Sequence, residues 1–201
     1  MAERKPYCPT FANFGEYFFW AYANFQMLFT AFKREVRKYD TVCYMVRAKF
    51  YKGYKEGRFK PRDLMQNNMA KLRDDNTHCW YCNCEVNSPQ ELTIDHLFPR
   101  SKGGTNETDN IFLVCKKCNS SKGAKDIIAW YAEKDLFPPF YIVAHYLKQV
   151  YFYAKEHDLL DRHTADLDKM DLPFDYHFIP LEYPQPYVFY NKGYDTSDVI
   201  E

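Results

Sequence analysis

Four cysteines stand in two pairs of the same spacing, Cys79-Trp80-Tyr81-Cys82 and Cys115-Lys116-Lys117-Cys118. Two Cys-x2-Cys pairs brought together by a chain reversal can close a tetrahedral sulfur cage around zinc. Four ordinary buried thiols or a disulfide pair are the plainer readings, and the recurrence of the spacing speaks against them. Cys84 lies two residues past Cys82 and could compete as a ligand, but the gap repeated in both pairs favours Cys79, Cys82, Cys115 and Cys118 as the set. A second chemistry is interleaved with the first. Asp95 beside His96, and Asn119 directly after the second pair, supply a carboxylate, an imidazole and an amide oxygen. Zinc thiolates have no use for these groups, whereas a hard cation and a proton transfer do.

The run Asp95-His96-Leu97-Phe98-Pro99, the pair Gly103-Gly104, the middle Asn110 and the run Cys115-Lys116-Lys117-Cys118-Asn119-Ser120-Ser121-Lys122-Gly123 resemble the HNH nuclease family in its four-cysteine branch. The likeness extends from Cys79 to Gly123. It departs from the family's name at Asn119, where the last letter would be His, and an amide oxygen also binds Mg2+. The resemblance implies a strand, loop, strand, helix order, the ββα-metal fold, stapled by structural zinc. It also implies a metal-dependent endonuclease that hydrolyses DNA phosphodiester bonds. In that reading His96 is the general base, and an imidazole with an ordinary pKa near 6.5 suits this task at neutral pH. Asp95 and Asn119 hold one Mg2+ or Mn2+ on the scissile phosphate, and Asn110 fixes the loop and orients the base. Arg100, Lys102 and Lys122 flank the site as candidates for phosphate contacts or as merely exposed charge. By analogy alone, the context is a bacterial or phage defence system or a mobile element.

An alternative of another class is a zinc-ribbon-like nucleic-acid-binding module or adaptor subunit whose catalysis has lapsed. It would not need Asp95, His96 and Asn119 together. No base-reading module is visible in the sequence, so specificity would come from a protein partner, from DNA structure, or be weak.

A ββα unit of this size has too little core to stand alone, so the remaining chain and the zinc must hold it. With 201 residues, one compact unit is expected. The fold class is α+β, a mostly helical chain around a small zinc-stapled HNH core. Its regions are an aromatic and basic helical segment over 1–76, the nuclease core over 77–125, and a helical then Pro-rich acidic segment over 126–201. Phe14, Phe18, Tyr22, Phe25, Phe29 and Phe32 recur at threes and fours and predict a helix from Phe11 to about Tyr39, packed on the core or offered to a partner. A second helix is expected from Thr41 to Tyr54 and a third from Pro61 to Arg73. Strands are expected at Glu91 to Asp95 and Ile111 to Val114, joined by a loop from Pro99 to Asp109. Helices then follow at Asp126 to Leu136 and Tyr141 to Leu160. Asp161 to Asp171 reads as solvated, and Pro173 to Tyr190 as extended, lying on the body or on a partner.

Formal net charge is zero, which argues against a protein uniformly coated by nucleic acid. The distribution is uneven: 13 Lys or Arg against 4 Asp or Glu from Lys33 to Arg73, and 6 against 14 from Asp126 to Glu201. One region can approach phosphate and the other repels it. Arg47, Lys49, Lys52 and Lys55 among tyrosines are candidates for tracking a DNA backbone, or form a solvated helix face. No charged-then-apolar leader is read at the N-terminus, so a cytoplasmic location with reduced thiols is expected. Tyr17 to Phe32 is too short and too polar for a membrane span.

Overall fold

The computed structural model describes residues 8–60 and 77–190. The helix expected from Pro61 to Arg73 lies outside them. Helix α1 spans Phe14–Lys33, opened by Asn13, whose side chain accepts from the Glu16 N–H at 2.9 Å, while Glu16 reaches back to the Ala12 N–H. This reciprocal cap fixes the start. The helix stops at Lys33 rather than near Tyr39 because Glu35 turns left-handed at φ 52°, and the Val36 N–H closes on the Ala31 carbonyl. Asp40 then caps α2, Thr41–Lys55, by accepting from the Cys43 N–H.

The aromatic stripe is core. Phe14, Phe18, Tyr22, Phe25 and Phe32 are buried, and Phe25 stacks on Phe140 with ring centroids 4.5 Å apart. Stacking of this kind adds about 0.5–1.5 kcal/mol per pair beyond area burial. One apolar cluster runs from α1 through Tyr81, between the first two paired cysteines, and the hairpin residues Phe112 and Val114 to Phe174 and Phe189. The small hairpin-and-helix unit therefore rests on a core supplied largely by the flanking segments.

That unit is a two-stranded antiparallel hairpin, β1 Leu92–His96 and β2 Ile111–Cys115, registered Leu92 to Cys115 and His96 to Ile111. Helix α3, Lys116–Lys122, follows β2 without a gap. Between the strands, the expected loop contains two short 3-10 turns, Arg100–Lys102 and Thr108–Asn110. A Cβ on Gly104 would lie 1.8 Å from the Phe98 carbonyl oxygen, so only glycine lets the loop close back there.

Three helices follow: α4 at Ile127–Ala132, capped by Asp126, α5 at Phe140–Glu156, and α6 at Thr164–Leu167. The last of these lies in the acidic stretch expected to be solvated, where Leu167 is buried. The Pro-rich segment is not simply extended. It carries a 3-10 turn at Tyr176–Phe178 and a final turn, α7, at Tyr187–Tyr190, and it lies on the body. Phe174, Tyr183 and Phe189 are buried, and the Tyr39 hydroxyl donates to the Pro184 carbonyl at 2.9 Å. Among the described residues no helix is long and apolar enough to cross a membrane.

Candidate active site

The hairpin reversal brings the two cysteine pairs together, and the Sγ atoms of Cys79, Cys82, Cys115 and Cys118 all lie within 4.8 Å of one another. Cys79 and Cys118 are buried and Cys82 is exposed. The thiol of Cys79 is drawn down to about 4 by the hydrogen bond from Cys118, with help from backbone N–H groups. The same contact pushes Cys118 up. Four sulfurs gathered this closely are the donor set that zinc takes, so the residues fit a structural zinc site. Cys84 is not one of the four; its carbonyl accepts from the Cys79 N–H at 2.9 Å and helps shape the knuckle.

Asp95 projects inward from β1. Its Oδ2 accepts from the Tyr81 hydroxyl at 2.6 Å and from the Lys122 ammonium at 2.9 Å. Tyr81 sits inside the first knuckle, and burial, with the Asp95 charge next, pushes its phenol well above the usual value, so it remains a donor. Lys122 is wholly buried and also donates to the His96 carbonyl at 2.9 Å. Expected among phosphate contacts, it is instead turned inward, because a buried ammonium needs a carboxylate partner and carbonyl acceptors.

Asn119 lies across the same strand from α3. Its amide NH2 donates to Thr93 Oγ1 at 2.9 Å and to the Ile94 carbonyl at 3.1 Å. Thr93 and Asp95 share a strand face, since side chains alternate with period two. Both amide hydrogens are committed to β1, which leaves Oδ1 as the amide's acceptor atom. For Asp95, both partners named above hold Oδ2. Two acceptor oxygens, Oδ1 of Asp95 and Oδ1 of Asn119, are thus left outside these bonds, and oxygens of this kind are what hard cations such as Mg2+ or Mn2+ take.

His96 ends β1, half-buried, with Nε2 2.9 Å from the Asn106 Oδ1. Asn110 is fully buried beneath the loop. Its Oδ1 accepts from the Phe98 N–H at 2.7 Å, and its amide NH2 donates to the Phe98 and Thr105 carbonyls at 3.1 and 2.8 Å. Asn110 thus ties together both sides of the loop that follows His96 and holds its backbone; the imidazole itself is met by Asn106. Arg100 and Lys102 are exposed on the 3-10 turn of that loop, and Lys116 and Lys117 are exposed at the start of α3.

Sequence reasoning passed over Tyr81, Asn106, Lys116 and Lys117. Tyr81 carried a signal in being the polar-tipped residue inside a knuckle, and Asn106 in following the glycine pair by two positions. The basic helix α2 is more committed than its composition suggests. Arg47 lies over the Trp20 ring at 4.7 Å and bonds Asn24, and Lys55 pairs with Glu16 at 2.7 Å.

Residues 79–126 match the family model described as HNH endonuclease, and this stretch is an HNH endonuclease domain. Members of that family act on nucleic acid as phosphodiester hydrolases. Over 56 residues the chain is 36% identical to "CRISPR-associated endonuclease Cas9" of Corynebacterium diphtheriae, a similarity that covers 27% of this chain and 5% of that protein's length. No solved structure matches the chain.

Proposed function

We propose that this protein is a metal-dependent endonuclease that hydrolyses phosphodiester bonds in DNA. The observation that supports this reading is the grouping of Asp95, His96 and Asn119 on one hairpin and helix, beside a four-cysteine cage and within the HNH-matched residues. Hydrolysis needs a water made nucleophilic and relief of charge on the phosphoryl oxygens. With Asn106 accepting from Nε2–H, the His96 imidazole keeps Nδ1 to take the water's proton. Asp95 and Asn119 would hold a divalent cation, which when bound would draw off phosphoryl charge. Lys102, Arg100, Lys116 and Lys117 form the exposed basic rim from which the DNA backbone is gripped. The zinc is structural and keeps Tyr81, and through it Asp95, in place.

The test is cleavage of supercoiled plasmid by the purified zinc-loaded chain with Mg2+, Mn2+ or EDTA, beside His96→Ala. Cleavage that needs the divalent cation and is lost in the variant is the expected result. Equal cutting by both proteins would remove His96 from the mechanism.

A further inference from the structure

Lys122 is the least exposed charged side chain among the described residues, at 1%, and it faces the carboxylate that the preceding reading assigns to the cation. We propose that Lys122 is a built-in counter-charge. It makes the free site electrically neutral, so that the divalent cation and the scissile phosphate are taken up together rather than in separate steps. This rests on the reading of Asp95 as a cation ligand.

The argument runs through charge. A carboxylate, an ammonium 2.9 Å away and an uncharged amide sum to zero. A hard cation is attracted by formal negative charge among its oxygen donors, and its affinity follows the number of such charges. Here the single negative charge is already half of an ion pair. Repulsion between the ammonium and the incoming cation acts inside a buried site, where screening by salt is weak. Lys122 cannot turn away into water at low cost, since its Nζ is also held by the His96 carbonyl at 2.9 Å and the Gly123 carbonyl at 3.4 Å. A DNA phosphate brings the missing negative charge and further oxygen donors. Cation and DNA should therefore each tighten the binding of the other by the same factor, as linkage requires. The pairing also fixes the Asp95 Oδ2, so Lys122 and Tyr81 act as positioning residues for the carboxylate.

The experiment is calorimetric titration of Mn2+ into the zinc-loaded full chain, with zinc content measured before and after. Lys122→Met, which removes the charge and keeps an unbranched stem, is expected to bind Mn2+ at least about tenfold more tightly than wild type without DNA. In a second arm, His96→Ala is titrated with and without a short DNA duplex. The duplex is expected to tighten Mn2+ by at least about tenfold, with Mn2+ tightening the duplex equally. A folded, zinc-loaded Lys122→Met that binds Mn2+ no better than wild type overturns the proposal. If that variant does not fold, an Mn2+ affinity unchanged by the duplex overturns it. Asp95→Ala separates the two levels: Mn2+ binding unaffected by that change would defeat the cation-site reading itself, whatever Lys122 does.

Discussion

Nε2 of His96 and Oδ1 of Asn106 lie 2.9 Å apart across the loop that joins the two strands of the hairpin. With the amide oxygen towards the ring, the contact pairs a donor Nε2–H with Oδ1, and under the proposed mechanism Nδ1 is then the nitrogen that takes the proton. Asn106 is itself exposed, so replacing it should not disturb the core. Asn106→Ala is expected to slow plasmid cleavage by about tenfold with zinc and melting temperature unchanged, less than the usual 10²–10⁴-fold worth of the base itself. Asn106→Asp restores an acceptor and should recover much of the rate, but with the acidic limb of the pH–rate profile moved to higher pH, because a carboxylate favours the imidazolium. Identical pH profiles for wild type and the Asp variant would sink the contact's role.

The four-cysteine cage and the Asp95 carboxylate are joined by Tyr81, whose hydroxyl reaches Asp95 from between two cage cysteines. Cys115→Ser is expected to release zinc, as read by metal analysis, and to unfold the central unit, since structural zinc supplies folding energy outright. Tyr81→Phe makes the finer cut. It should keep zinc, lose about 1–3 kcal/mol of stability for the buried hydrogen bond removed, and lower the cleavage rate. Retained full activity in a zinc-loaded Tyr81→Phe protein would uncouple the two sites.

The four-cysteine cluster and the hairpin were legible because a metal cage and a strand reversal demand particular residue types at fixed spacings. Phe25 and Phe32 were legible as a helical stripe for the same kind of reason, a period of 3.6. What the stripe covers was not legible, since stacking of Phe25 on Phe140 depends on residues far apart in the chain. Lys122 shows the other limit. A lysine after a knuckle has the same letter whether it meets phosphate or a buried carboxylate, and only the fold brings Asp95 within 2.9 Å. The end of α1 was misplaced because the residues from Arg34 to Tyr39 contain no glycine or proline; a left-handed Glu35 does the turning.

His145 on α5 is held near the hairpin, its ring edge-on to Phe112 at 5.2 Å, and burial pulls its pKa down to about 4. The Asp109 carboxylate 3.6 Å away opposes this pull, and Lys148, paired with that carboxylate, adds to it. The unfolded chain takes up this proton near the ordinary value of 6.5. Between the two values the unfolded state binds more protons, so stability falls as pH drops from about 6.5 towards 4 and is undiminished above that window. The full loss is about 3 kcal/mol at roughly 1.4 kcal/mol per pH unit. Denaturant unfolding of His145→Gln should show a flatter dependence over that range; an unchanged slope would assign the acid sensitivity elsewhere.

On α2, Arg47 and Lys49 separate packing from contact. Arg47→Ala removes the cation from Trp20 and Tyr44 and the bond to Asn24, and should cost about 1–3 kcal/mol of stability. Lys49 is exposed, so Lys49→Glu should leave stability within about 0.5 kcal/mol. If α2 tracks the DNA backbone, Lys49→Glu also weakens DNA binding and reduces the slope of log affinity against log salt by about 0.9. An unchanged slope would make this helix a solvated face.

Under the proposed mechanism His96, Asn119 and Asp95 should fail in different ways, and the difference is measurable. His96→Ala removes a base but neither a sulfur of the cage nor either cation oxygen, so zinc, fold and DNA binding should persist while cleavage drops by about 10²–10⁴-fold. Raising Mn2+ cannot supply the missing base. Asn119→Ala deletes one cation oxygen and frees Thr93 Oγ1 and the Ile94 carbonyl, both at the hairpin surface facing α3. Its loss of cleavage should be partly restored by more Mn2+, because a poorer site fills at higher concentration. Asp95→Ala removes the other oxygen and leaves the Lys122 ammonium buried without its counter-ion, which costs about 3–5 kcal/mol, so here stability falls along with activity. Cleavage rates over a range of Mn2+ concentrations, measured with unfolding curves for all three variants, check the assignment. Mn2+ rescue of His96→Ala, or its absence in Asn119→Ala, would reverse the roles given to those two residues.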